Sequence, residues 1–508
     1  MTNKLICFFK TLDERQVLLL LIGISFGLRL YAVLMAQGIA NDSAEYGFIA
    51  RDFLRADFIK GLSSPAPPFY PFLIYLVSPD TSSVEIAGRF ISLFFGTLSI
   101  IPLFYLVKGA IGQKEAIFSG LLYAFHPYLV TYSGMLLTEA TYWGLLILSV
   151  YFFWTGLENQ VTWKIGLAGC FLGLAYLTRP EGIGYVLVYL IWIIVDGGIK
   201  KKWLKKSILI ATLLLSVLIF VTPYVIYIHQ ETGQWLISKK ALEAQSEFLK
   251  KGEEKVDFSK ALEQNKPIGK NSKILMIVRN VVEFFPFVIY QYLRAYHFSL
   301  WLLLFFGLIR VRQKVIGYEV FVASLVLLHL FSLSTFLRSA VRFSVPVVPL
   351  SLFWAGTGIL EMKRYLEKIK MPNPEKIVLF VVILVILIQL PQDLKPERRH
   401  RADQKKVGQW LLQHTPPDAI IMSNSPQETF YADRKFIALP PESSRWGIPG
   451  SSYEKIVHYA RTRGVRYILV DGNTHETNPD LVGSIQSTDL REIFRQKGQK
   501  LIIYEVLY

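Results

Sequence analysis

The chain has 508 residues, is 52% hydrophobic, has a mean hydropathy of +0.37 and carries a formal net charge of +16. Its apolar residues gather in runs as long as a bilayer is thick, which excludes a soluble globular protein. The positive charge does not point to nucleic acid, because Lys and Arg collect in short segments between those runs, and Cys7 and Cys170 lie too far apart to suggest a disulfide framework.

The first apolar run lacks an evident cleavage site and reads as an anchored helix, not a signal peptide. Eleven spanning helices are expected, at about 17–36, 86–107, 114–132, 137–155, 162–178, 182–197, 207–228, 298–310, 317–336, 344–360 and 374–390. Helices are the spanning structure such long runs permit, since barrel strands read as short alternating segments. With the amino terminus inside, nineteen Lys and Arg fall on the short inner segments, among them IKKKWLKK at 199–206, against six on the opposite side. The positive-inside rule favours this orientation, and the expected location is the plasma (inner) membrane.

Two outer loops follow, at 37–85 and 229–297. In the first, Tyr46, Ile49, Ala50, Phe53 and Leu54 recur at helical spacing with Arg51, Asp52 and Arg55 off that face, predicting a short helix lying on the membrane. Pro67, Pro68 and Pro71 then force a turn before a second short apolar helix. In the second loop, KALEAQSEFLKKGEEKVDFSKALEQNKPIGK reads as solvated. The stretch 274–297 is apolar enough to tempt a twelfth span, but Arg279, Glu283 and Pro286 make it an interfacial amphipathic helix. The chain thus divides into a membrane domain, 1–397, and an outer domain, 398–508. In the latter, VGQWLLQH and SYEKIVHYARTRG have helical spacing, and AIIMSN, VRYILVD and KLIIYEV read as strands, predicting a small α/β fold.

Ionisable residues near membrane helices are costly and tend to mark function. Asp42 and Glu45 close the first span. Arg89 opens the second, Glu139 lies at the outer end of the fourth, and Arg179 and Glu181 sit in the turn between the fifth and sixth. His297 ends the second loop, and Arg338 and Arg342 join the ninth to the tenth. Each also has a plain structural reading: Asp42 and Glu45 as a capping box, Glu139 as a helix-dipole acid, Arg179–Glu181 as a local ion pair, Arg89 snorkelling and His297 as an interfacial residue. Together they place acids and arginines from five segments on one face.

DSAEY at 42–46, PPFYP, AGR, LLTEATYW and GLAYLTRPEG occur in this order. They resemble the GT-C glycosyltransferase superfamily, in the branch of the protein O-mannosyltransferases and the aminoarabinose transferases of lipid A. The resemblance implies a sugar taken from a polyprenyl-phosphate carrier and passed to an extracytoplasmic acceptor, usually with inversion, among membrane lipids. It implies Asp42 as the catalytic acid position, with Ser43 where the family often has a second acid, a role that Glu45 or Glu139 could take. It also makes Arg89, Arg179 and Arg342 candidates for the carrier phosphate, with Tyr46 and Glu181 beside them.

That chemistry is coherent. An acceptor hydroxyl needs a base, and partial burial raises a carboxylate's basicity; guanidinium groups match phosphate oxygens and stabilise a phosphate leaving group. No D-x-D or His cluster demands a metal, so the expected cofactor set is empty. A transporter or flippase would show inverted repeats and mid-membrane charges, a scaffold would ignore loss of Asp42, and an oligosaccharide transferase would respond to chelators.

Overall fold

The structure, a computed structural model, describes residues 13–195, 203–240, 270–309, 316–335, 340–395, 401–439, 453–472, 474, 478–496 and 501–508. Cys7, Arg338 and most of the predicted charged loop after Lys240 lie outside the described residues.

A helix stands at each predicted span. Seven, at Glu14–Met35, Val84–Ala110, Glu139–Glu158, Trp203–Thr232, Ile316–Thr335, Val341–Lys368 and Pro374–Asp393, are long and apolar enough to cross a bilayer. The protein is therefore a multi-pass membrane protein. The remaining predicted spans are short or broken. The span expected at 114–132 splits into Gln113–Phe125 and Pro127–Ser133, because Pro127 cannot supply the amide that would carry the helix through His126. Thr162–Thr178 ends where Arg179 and Pro180 lead into a short 3₁₀ turn, followed by Tyr185–Val195. The interfacial stretch is helical to Ala295 and bends by 82° into Phe298–Ile309 at His297, whose φ of 66° lies in the left-handed region.

Local chemistry starts the first helix and packing holds it. Asp13 and Gln16 form a reciprocal capping box, with bonds of 2.7 and 2.9 Å. Further along, Arg29 is fully buried, a costly placement that five acceptors offset. It donates to Ser25 Oγ and O, Tyr123 O, Ala124 O and Ser133 Oγ, which ties this helix to both halves of the broken one. Elsewhere small residues let backbones touch: a Cβ on Gly307 would lie 1.9 Å from Trp354 O, and one on Gly358 1.8 Å from Leu303 O.

At one end of the bundle the helices Asn41–Leu54, Phe58–Ser63 and Phe69–Val77 fold over the spans. Tyr46, Ile49, Ala50 and Phe53 do face one way, onto Tyr70 and Ile74. On the opposite face Arg55 is half exposed, whereas Arg51 and Asp52 are 4% and 9% exposed: Arg51 is covered by Phe430 of the carboxy-terminal region, and Asp52 pairs with Lys60 at 2.5 Å.

That region holds a five-stranded sheet of order β2-β1-β3-β5-β4, with β1 Ile420–Ser423, β2 Lys435–Ala438, β3 Tyr467–Val470, β4 Leu490–Arg495 and β5 Ile502–Val506. β1 runs parallel to β2 and β3; β5 is antiparallel to β3 and β4. Successive side chains alternate between two cores. Met422, Ile468 and Val470 meet Ile456 and Val457 of helix Tyr453–Thr462, while Ile421, Tyr467 and Leu469 meet Val407 and Leu411 of helix Ala402–His414. β1, β3 and β5 are the three runs legible in the sequence; β2, KFIA, is too short to stand out, and β4 carries three charged residues in six.

Candidate active site

The site is assembled where helix Asn41–Leu54 meets the ends of three spans. Asp42 does not cap its helix. The helix begins after Ala40, whose amide donates to Ser43 Oγ at 3.1 Å, so Ser43 does the local work and Asp42 is free to point elsewhere. Glu45, the other half of the expected capping box, accepts from Ser64 Oγ at 2.9 Å.

The Asp42 carboxylate is ion-paired with the Arg342 guanidinium. Arg342 Nε also lies 4.0 Å from Glu139 Oε1, which in turn accepts from Arg179 Nη1 at 3.1 Å. Arg179 Nη2 reaches Glu181 Oε1 at 3.5 Å. An alternating row of charge results: Asp42, Arg342, Glu139, Arg179, Glu181. Its exposure is lowest in the middle: the side chains of Asp42 and Arg342 are 35% and 27% exposed, Glu139 2%, Arg179 9% and Glu181 15%. Glu139 Oε2 is buried and makes no hydrogen bond among the described residues.

Aromatic rings hold the arginines. Arg342 lies 4.8 Å from the centre of the Phe343 ring, and Arg179 lies 5.4 Å from the same ring and 5.7 Å from that of Tyr142. Phe343 is itself held, since its carbonyl accepts from His329 Nε2 at 2.8 Å. The other ring nitrogen, Nδ1, faces Tyr185 Oη at 2.9 Å and accepts a hydrogen bond from that hydroxyl. This chain of contacts was invisible in sequence, where His329 is one polar residue in an apolar span.

Lys240 is the other residue that sequence reasoning missed. Nothing in the sequence distinguishes it from the lysines of the loop that follows. Its Nζ lies 6.0 Å from the centre of the buried Tyr46 ring. The Tyr46 oxygen, then Glu45 and Asp42, hold the ammonium above its usual range against the effect of burial. Burial raises the Tyr46 phenol. At Asp42, burial pushes the carboxyl up, but the charge and hydrogen bond of Arg342, with Lys240 and Arg179 beyond, pull it below the usual carboxylate range. The raised basicity expected from partial burial is thus reversed by the ion pair.

Beside this row lies a cavity of about 320 Å³, with Glu181, Lys240, His329 and Tyr185 on its wall among Ile183, Ile237, Leu328 and Leu333. Its lining is mostly apolar, with a cation and an acid at one side, a composition suited to a lipid with a charged head.

Arg89 is not brought to this row. It is buried and donates to the carbonyls of Val33, Ala36 and Gly38 and to Glu85 at 2.6 Å, so it anchors the chain that leads into helix Asn41–Leu54. Its signal was present as the Glu85–Arg89 spacing of four residues. His297 is likewise occupied, with Ser299 Oγ 2.8 Å from Nδ1. Among the described residues no group of three His, Cys, Asp or Glu side chains is placed to hold a metal ion.

The family model of dolichyl-phosphate-mannose-protein mannosyltransferases matches residues 65–227. No curated protein matches the chain. Among solved structures, the ArnT of Cupriavidus metallidurans bound to undecaprenyl phosphate is similar over 96% of this chain and 97% of its own, with a TM-score of 0.60 and 13% identity. The Archaeoglobus fulgidus oligosaccharyltransferase in complex with zinc and sulfate is similar over 92% of this chain and 70% of its own, with a TM-score of 0.61 and 13% identity. The same organism's AglB, in complex with an inhibitory peptide and a dolichol-phosphate, gives a TM-score of 0.53 at 12% identity over 91% and 69%.

Proposed function

We propose that the chain, which has the fold of the GT-C glycosyltransferases and resembles their mannosyltransferase and ArnT branch, transfers a sugar from a polyprenyl-phosphate carrier to an extracytoplasmic acceptor: a glycolipid, a polysaccharide or a protein. One observation supports this most. Acids and cations from segments as far apart as Asp42 and Arg342 form a single alternating row beside a largely apolar cavity.

In this reading the first isoprene units of the carrier occupy the cavity, the rest of the chain runs into the bilayer, and the phosphate lies between Lys240 and Arg342. Asp42 is the general base. The acceptor oxygen attacks the anomeric carbon, its proton passes to Asp42, and the bond from that carbon to the carrier phosphate breaks with its electron pair leaving on the phosphate. Attack from the face opposite the leaving group inverts the anomeric centre. Lys240 and Arg342 stabilise the charge that develops on the leaving oxygen. Glu139 keeps Arg342 and Arg179 in place, and its second oxygen is available to an acceptor hydroxyl.

The ion pair gives the order of events. An unoccupied site holds Asp42 against Arg342, where it is a weak base. A phosphate arriving at Arg342 competes for the same guanidinium, and an Asp42 released from that pairing is a stronger base. Proton removal is thereby tied to the presence of the donor.

The test is incubation of the purified protein with radiolabelled polyprenyl-phosphate sugars and extracted envelope lipids or proteins, beside the Asp42→Asn variant. Label is expected in one acceptor fraction with the wild type and not with the variant. Absence of label from every donor would overturn the proposal.

A further inference from the structure

The helix that carries Asp42 is gripped along its length by the carboxy-terminal region. At its start, Arg401 Nη1 donates to Ile39 O at 2.9 Å and to Asn41 Oδ1 at 3.1 Å, and the Gln427 amide contacts the Asn41 side chain. One and a half turns on, Phe430 enters the same buried cluster as Tyr46, Ile49 and Phe53. The fit is close enough that a Cβ on Gly47 would lie 2.3 Å from the Phe430 ring. A further turn on, buried Arg51 lies 4.0 Å from the centre of that ring, donates to Phe430 O at 2.6 Å and pairs with Asp433 at 3.4 Å. Arg55 completes the series, 2.8 Å from Asp433.

A second strut runs to the preceding chain. Glu85, which binds Arg89, also takes Lys405 Nζ at 3.1 Å and the Tyr431 hydroxyl at 3.2 Å. Arg89 holds the carbonyls of Val33, Ala36 and Gly38, immediately before the Asp42 helix. Phe430 and Tyr431 belong to the helix Gln427–Ala432 that directly follows β1. β1 sits where the strand order turns, with β2 on one side and β3 on the other. In parallel sheets the crevice beyond such strand ends receives ligands; here the element that leads out of it receives another part of the same chain.

We propose that the carboxy-terminal domain is a positioning device for the base: by seating Phe430 over Gly47 and pairing Arg51 with Asp433, it fixes the helix so that Asp42 is held at Arg342, poised for release when the carrier phosphate arrives. This rests on the function proposed above. Phe430 and Arg51 touch neither reacting atom and are positioning residues. Burial with hydrogen bonds is what such a supporting role requires.

The test is Gly47→Ala in the full-length protein, with Phe430→Leu added as the compensating change, a side chain short enough to clear the new methyl group yet still apolar in the same cluster. Two readings are taken. Hydrogen exchange of the amides at 42–54 reports the docking whether or not a substrate is known. Turnover and binding of undecaprenyl phosphate report its catalytic consequence. Gly47→Ala should raise exchange at 42–54 while leaving the spans 139–158 and 203–232 protected. Turnover should fall by about 10- to 100-fold, with carrier binding within about twofold of wild type, because a displacement near 1 Å carries losses of that order. The double variant should recover part of both. Unchanged exchange at 42–54, or raised exchange with normal turnover, would overturn the inference. A wild type without turnover on any donor counts against the proposed function, and the exchange reading still decides the docking.

Discussion

Asp42 and Arg342, 300 residues apart in sequence, are joined by a direct ion pair at the half-exposed end of a row of charge. The contact unites the start of a short helix after the first span with the start of a late one. It gives the acid two states, paired and released, and several measurable consequences.

Asp42→Asn keeps the shape and the hydrogen-bonding oxygen while removing the base. Turnover should fall by about 10²- to 10⁴-fold, the usual worth of a positioned base. Binding of undecaprenyl phosphate should persist. A variant that turns over normally would remove Asp42 from the chemistry.

Arg342→Gln should act on pH dependence as well as affinity. In the wild type Arg342 helps hold the Asp42 carboxyl below its usual range, so the acid stays ionised to lower pH. Without the guanidinium the carboxyl rises, and the acidic limb of the kcat/KM profile should move to higher pH. Carrier affinity should weaken in the same variant. A limb that stays in place would show that another group titrates.

Glu139→Ala leaves the Arg179 guanidinium, 9% exposed, without one of its two carboxylates. Breaking a buried pair in this way costs roughly 3–5 kcal/mol, so the melting temperature in detergent should drop clearly. Glu139→Gln, which retains an acceptor for Arg179, should lose much less. Equal melting of all three proteins would deny the pair a structural role.

Chelation separates the two classes of relative. Asp42 and Glu139 are each taken up by guanidinium groups, and a divalent cation would have to displace them. Turnover should survive EDTA. Loss of activity that manganese or magnesium restores would assign the protein a metal-dependent mechanism.

Glu428, in the helix Gln427–Ala432 that carries Phe430, is 1% exposed, and burial lifts its carboxyl to about 7. The folded state therefore holds a proton that the unfolded chain releases from about pH 4.5 upward. Stability should fall as pH rises from there to about 7 and then level off, a change on the order of 3 kcal/mol. Glu428→Gln should flatten that slope in thermal unfolding followed across pH; an unaltered slope would show that Glu428 does not cause it.

Hydropathy made the helices legible, since every predicted span has a helix at its place. The breaks were less so. Pro127 marked one, but the 82° bend at His297 carries no comparable mark. Asp42, Glu139, Arg179, Glu181 and Arg342 stood out because charge is conspicuous beside apolar runs, and they do converge. Arg89 stood out for the same reason and serves backbone carbonyls instead, which no spacing announces. Lys240 was hidden among other lysines. Arg51 meets Phe430 across 379 residues, a contact that becomes visible only when both domains are folded together.

Arg29 bears on how the chain is made. Its partners outside its own helix, at Tyr123, Ala124 and Ser133, lie 94 to 104 residues further on. Synthesis proceeds from the amino terminus, so the first helix reaches the insertion machinery before any of them exists. Until they emerge, Ser25 is the only one of its acceptors to hand, and the guanidinium must stay near water or a lipid headgroup. Assembly of the bundle therefore has a waiting step, in which the first helix settles to its final depth only once residues 123–133, which follow the second span, have been delivered.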